Sequence, residues 1–174
     1  MPATLPRIVV DLEKLRHINT GLGRVALHLG AELLALAPGR FEPVFFLPPG
    51  AERHLPTGGY RRIDAVDWRK ESLMRLVRPL ARPFLPEPDV ALWHVTHQTA
   101  KYLPLDPRVP VLLTIHDLNF LHESPGERPG WRIARKLAAV QALVDRSVAV
   151  ATDSQFVADD VTAQLELGDR PVHV

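Results

Sequence analysis

Four short stretches of this chain carry residues whose types and spacing could do chemistry. Thr20-Gly21-Leu22-Gly23-Arg24 stands between an apolar run, Ile8-Val9-Val10, and a helical pattern that begins near Val25. A strand, a glycine turn and a helix in that order expose backbone N–H groups and the positive helix end to an anion. A phosphate-bearing ligand is therefore the first chemistry this segment suggests. Glycine in such a turn also has a plainer use, since it lets the backbone take positive φ. His94-Val95-Thr96-His97 follows a second apolar run, Thr114-Ile115-His116-Asp117 closes a third, and Thr152-Asp153-Ser154 follows a fourth. A histidine at the carboxyl end of a strand is placed to hydrogen-bond a ligand or to exchange a proton near neutral pH. It can equally serve structure, and His28, inside the first helical pattern, reads as a partly buried residue of that kind.

Other chemistries fit less well. His94, His97, His116 and Asp117 have the donor types of a zinc site. Their spacing matches no metal signature and there is no His-Glu-x-x-His helix, so no metal is expected. Ser154 with His116 and Asp117 supplies the residue types of a small-molecule hydrolase. Ser154 stands between Asp153 and Gln155, however, without the glycines of a nucleophile elbow. Gly21-Leu22-Gly23 is followed by Ala26 where a dinucleotide fingerprint has its third glycine, an accepted variant. Eight residues separate Asp11 from Thr20, and a tight dinucleotide turn has no such approach.

The elements that must position these residues follow from hydrophobic periodicity. Strands are predicted at Arg7 to Asp11, Pro43 to Leu47, Arg61 to Ile63, Val90 to His94, Val111 to Ile115 and Ser147 to Ala151. Their near-continuous apolar runs suit a sheet covered on both faces. A first helix is predicted over Val25 to Leu36, with Ala26, Leu29, Leu33 and Leu36 on one face and a stop at Pro38-Gly39. A second runs from Trp131 to Val144, with Ile133, Leu137, Val140 and Val144 inward and Arg132, Arg135 and Lys136 outward. A third runs from an N-cap at Ser154 to Leu167 and ends at Gly168. The alternation argues for an α/β fold with a doubly wound parallel sheet. Ligands of such sheets bind at the carboxyl ends of the strands, where Gly21 to Arg24 and His116-Asp117 are both expected.

Composition sets the outer bounds. With 174 residues, 46% hydrophobic and 24% charged, the chain can bury a core of its own, and one domain over 1–174 is expected. A net charge of +1 lacks the basic footprint of nucleic-acid binding, so nucleic acid is not an expected partner. Without cysteine there is no thiolate metal site or nucleophile. The N-terminus has no signal-peptide pattern and no apolar run approaches the roughly 18 residues of a spanning helix, so a cytoplasmic protein is expected. Pro48 to Gly59 and Pro79 to Pro88 read as connectors. Between them Trp68 to Arg82 reads as a basic amphipathic helix, with Leu73, Leu76 and Leu80 against Arg69, Arg75 and Arg78. Such a helix can dock on the sheet or make a peripheral contact with an anionic membrane or a lipid-linked substrate.

Asp11, Gly21-Leu22-Gly23-Arg24 opening the first helix, Thr114-Ile115-His116-Asp117-Leu118 and Ala151-Thr152-Asp153-Ser154-Gln155-Phe156 resemble, in this order, the N-terminal half of retaining glycosyltransferases of family 4 type. The resemblance runs from about Ile8 to Val174; Val25 departs from it, at a position where many members carry tyrosine. It implies one half of a GT-B fold, a Rossmann-like acceptor-binding domain facing a C-terminal nucleotide-sugar domain that this chain does not include. Pro171 to Val174 would lead toward that second domain.

The resemblance further implies transfer of a hexosyl unit, such as mannosyl, from a nucleotide sugar to a glycan or lipid-linked acceptor with retention of configuration. Gly21, Leu22, Gly23 and Arg24 would meet the donor diphosphate; His116 and Asp117 would be the catalytic pair, His116 by the transferred sugar and Asp117 positioning it or the acceptor; and His97, Lys101 and Ser154 would lie on the acceptor side, Ser154 mainly by capping its helix and shaping the cleft wall. No cofactor or metal is implied, and the biological setting would be polysaccharide biosynthesis at the inner face of a membrane. The isolated chain is expected to fold and to transfer no sugar. The competing expectation is a non-catalytic binding module, or an accessory subunit that pairs with a separate donor domain.

Overall fold

The computed structural model describes residues 5–64, 89–122 and 129–174. Its strands are β1 (Arg7–Asp11), β2 (Glu42–Leu47), β3 (Arg61–Asp64), β4 (Val90–Val95), β5 (Val111–Ile115), β6 (Ala149–Thr152) and β7 (Val172–His173). Its helices are α1 (Gly21–Leu36), α2 (Gly130–Arg146) and α3 (Gln155–Gln164). The strand order is β3-β2-β1-β4-β5-β6-β7, and every pairing among the described residues is parallel. The chain winds outward from β1 to β3, returns to the other side of β1 at β4, and winds outward again. That is the Rossmann-like doubly wound α/β sheet expected from the sequence. The chain divides into two compact units, Met1–Thr96 with Lys101–Pro110 and His97–Ala100 with Val111–Val174.

In the first unit, β1 and β2 are nearly all buried, as their unbroken apolar runs require. A core of Val10, Leu12, Leu15, Ala26, Phe45, Leu47, Ala51 and Leu55 fills the space under α1. The helix approaches closely because its buried stripe is Gly23, Ala26 and Gly30; a Cβ on Gly30 would stand 2.8 Å from Leu55 Cδ2. Leu36, expected on this inner face, is instead 50% exposed, because it lies about 110° around the helix from that stripe. His28 is also exposed, on the outer side. The Pro48–Gly59 connector is not shapeless: a 3-10 turn at Ala51–His54 sends Ala51 and Leu55 into the core. At the amino end of the strands, Arg7 pairs with Glu42 at 2.9 Å and with Asp89, which holds the Glu42 carboxyl below its ordinary range.

In the second unit, β5 and β6 pair in register from Leu112↔Ala149 to Ile115↔Thr152. Val111, Leu113, Ile115 and Val150 are buried, while Leu112, Thr114, Ala149 and Ala151 are half-buried. This alternation differs from the two-sided burial expected of every strand. On the buried side, α2 contributes Val140, Leu143 and Val144, and α3 contributes Val157, Ala158 and Val161. Ile133 and Leu137 are only half-buried, so α2 packs chiefly through its second half. Ser147 closes α2 rather than opening β6: its N–H and hydroxyl donate to Val144 and Leu143 carbonyls. α3 stops at Gln164, short of the expected Leu167, because Leu165 is extended and Gly168 turns the chain at φ +57°. The predicted basic helix at Trp68 to Arg82 and the connector at Pro79 to Pro88 lie outside the described residues.

Candidate functional site

In the first unit the candidate residues sit at the carboxyl ends of β1 and β4, where the strand order reverses and where ligands of doubly wound sheets bind. The eight residues between Asp11 and Thr20 form a 3-10 turn, Glu13–His17, which buries Leu15 in the core. Thr20 then caps α1. Its Oγ1 accepts from the Gly23 N–H at 3.1 Å, and its own hydroxyl donates to the His17 carbonyl at 2.8 Å. The helix therefore starts at Gly21, four residues earlier than predicted, and neither glycine takes positive φ. Gly23 is required by space, since a Cβ there would lie 2.1 Å from the His17 carbonyl oxygen.

This geometry turns Gly21, Leu22, Gly23 and Arg24 into the first turn of α1. Thr20 satisfies the Gly23 N–H, and the Thr20 carbonyl accepts from the Arg24 N–H. The Gly21 and Leu22 N–H groups stay outside the cap at the positive helix end, beside the exposed Arg24. Such an end can receive an anion.

Asp11 lies behind this turn and is fully buried. Its Oδ1 accepts from the Glu13 N–H at 2.9 Å, and its Oδ2 makes no hydrogen bond with any described residue. Burial pushes the Asp11 carboxyl up to about 7, against the Glu13 N–H, which favours the ionised form. Thr96 donates its hydroxyl to the Asp11 carbonyl at 2.5 Å, joining the ends of β1 and β4.

In the second unit the register of β5 and β6 does the positioning. Ile115 pairs with Thr152, so the next residues, His116 and Asp153, leave adjacent strands side by side. His116 Nδ1 meets Asp153 Oδ2 at 2.7 Å, with the histidine side chain 10% exposed and the carboxylate 50% exposed. Gln98 fastens the same segment through its backbone: its Oε1 accepts from the His116 N–H at 3.3 Å and its Nε2 donates to the Asp117 carbonyl at 2.9 Å. The Asp117 carboxylate accepts from the Asn119 N–H at 3.1 Å, which shapes the following 3-10 turn. Further along, His122 Nε2 meets Asp160 Oδ2 of α3 at 2.6 Å.

The remaining predicted residues take other places. Ser154 is the N-cap of α3, accepting from the Val157 N–H. His97 is buried and its Nδ1 lies 3.1 Å from Thr99 Oγ1, whereas Lys101, in the first unit, is exposed. Asp153 and Gln98 as partners of His116 were not singled out in the sequence, although the strand register carries the signal for Asp153. Among the described residues, no group of three histidine, aspartate or glutamate side chains could hold a metal ion. A groove lined by Leu5, Ala31, Leu34, Phe41 and Pro43 opens at the amino end of β2 and contains none of the candidate residues.

The fold is that of a doubly wound α/β protein, with polar groups at the carboxyl ends of its strands. Comparison with protein-family models and with curated proteins gave no match. Among the described residues, no helix is long and apolar enough to cross a membrane.

Proposed function

We propose that this chain is the acceptor-side domain of a retaining glycosyltransferase of GT-B type, which moves a hexosyl unit from a nucleotide sugar to a glycan or lipid-linked hydroxyl. The observation that carries the reading is the start of α1. A helix end whose first residue, Gly21, has open space where a Cβ would stand, with two N–H groups outside the Thr20 cap and Arg24 in the same turn, suits a diphosphate. In this reaction the diphosphate departs as the anomeric carbon gains oxocarbenium character. Fixed N–H donors and a cation at that leaving group stabilise the transition state more than the ground state. His116 and Asp117 take the part of sugar-facing groups; His97, Lys101 and Ser154 stay on the acceptor side, Ser154 by shaping the helix end.

The donor-binding domain, on this reading, is supplied outside these 174 residues, and the protein works in the cytoplasm on a membrane-associated acceptor. A second reading, a module that pairs with a separately encoded donor domain, draws on the exposed apolar side chain of Phe156 on α3. The test is turnover of a panel of nucleotide sugars by the product of the native gene, alongside binding of a nucleoside diphosphate to the 174-residue chain. Transfer by the native product, with weak diphosphate binding and no transfer by the chain alone, is the expected result. No turnover with any donor, together with no diphosphate binding, overturns the reading.

A further inference from the structure

The pairing of His116 with Asp153 is a consequence of sheet register rather than of sequence proximity, since 37 positions separate the two residues. Parallel strands deliver neighbouring residues to the same edge, and β5 and β6 are aligned so that the residues after Ile115 and Thr152 come out together. Two further contacts narrow the freedom of His116. Gln98 bonds the backbone on both sides of its Cα, in the manner of an extra strand partner, and Gln98 is itself 8% exposed. Asp153 is held in turn by the α3 cap at the next residue, Ser154.

We propose that Asp153 is a positioning residue: it fixes the orientation and the tautomer of the His116 ring, holding the proton of the neutral imidazole on Nδ1. An ionised carboxylate can only accept, so at 2.7 Å the shared hydrogen belongs to Nδ1. The second ring nitrogen, Nε2, is then unprotonated and acts as an acceptor. Toward any group that reaches it, a hydroxyl included, Nε2 of the neutral ring can therefore only accept, a hydrogen bond or a proton, and does not donate. The inference deepens the proposed function and rests on it for the identity of that hydroxyl, a sugar hydroxyl. The tautomer itself rests on the Asp153 contact.

Long-range proton–nitrogen correlation spectra of the 15N-labelled chain read the tautomer directly, with His116 assigned by its loss in His116→Gln. In the wild type above the histidine titration, protonated Nδ1 and unprotonated Nε2 are expected. Asp153→Ala should lose this state and show the mixed tautomers of an unconstrained imidazole. Asp153→Glu keeps an acceptor-only carboxylate and should restore it in large part, whereas the amide of Asp153→Asn can turn to donate to Nδ1 and should not, a contrast that a merely structural role for residue 153 would not give. A wild-type ring protonated on Nε2, or an Asp153→Ala ring still wholly protonated on Nδ1, overturns the proposal. If Asp153→Ala fails to fold, the wild-type spectrum and the contrast between Asp153→Glu and Asp153→Asn decide. Turnover of nucleotide sugars is measured separately: the expected tautomer without any turnover by the native product removes the glycosyltransferase reading and leaves the role of Asp153 standing.

Discussion

A Cβ on Gly23 would lie 2.1 Å from the carbonyl oxygen of His17 and 2.8 Å from the Ile18 Cα, so the first turn of α1 rests on the backbone of the preceding 3-10 turn. Backbone atoms cannot step aside as a side-chain tip can. Gly23→Ala is expected to cost about 3 kcal/mol or more, at the upper end of over-packing changes. Gly21→Ala, with nothing within 4 Å of its Cβ, should be neutral or stabilising by up to about 1 kcal/mol. Urea unfolding of the two variants checks this, and equal losses would refute the close approach.

Asp11 predicts a pH-dependent stability. Burial raises its carboxyl from 3.8 to about 7, so the folded chain keeps a proton that the unfolded chain has already released. The resulting stabilisation is complete below about pH 4 and is lost as pH rises through about 7, on the order of 4 kcal/mol in all. Asp11→Asn should remove this slope and leave the variant more stable than the wild type at pH 8. Unfolding free energies measured at several pH values decide, and a slope unchanged by the substitution sinks the prediction.

Arg24→Ala should weaken nucleoside diphosphate binding to the chain roughly tenfold, the size of one charge-assisted contact at a helix N-terminus. Melting temperature should hardly change, because Arg24 is exposed. Calorimetric titration with and without added salt reads both the loss and its screening. Binding insensitive to Arg24 would move the diphosphate site elsewhere.

Ser154 and Thr20 are both helix caps, each supporting a first-turn N–H. Alanine at either position should cost about 1 kcal/mol. Ser154→Asp, which restores an accepting oxygen, should recover most of that loss. If it restores stability but not acceptor use in the native protein, Ser154 touches the acceptor as well as capping α3.

Gln98 is buried and serves two backbone groups at once. Gln98→Ala should cost about 2 kcal/mol, since a lost partner at a buried polar group costs more than a made bond returns. Faster hydrogen exchange at the His116 amide is the specific readout. A global loss without that change would argue for packing alone.

Strand positions, helix types and the α/β class were legible from local pattern: the apolar runs at Arg7 to Asp11 and Val111 to Ile115, and the Ser154 cap, depend on neighbours a few residues away. The residue types of the candidate site were legible as well, because glycine before a helix and histidine after a strand keep their chemistry wherever they lie. What the sequence by itself determined, then, was which segments form strands and helices and which short motifs stand at their ends.

Only the tertiary structure decided what those motifs touch. Gly23 is needed for the approach of His17 rather than for positive φ; α1 turns Gly23, Ala26 and Gly30 fully inward, with Leu29 and Leu33 packed half-buried against the same core and Leu36 exposed; and His116 meets Asp153, which local spacing does not pair. The physical reason is the same in each case. Close approach and strand register are set by how separate elements pack, and a one-residue change of register would give His116 a different neighbour without altering any local pattern.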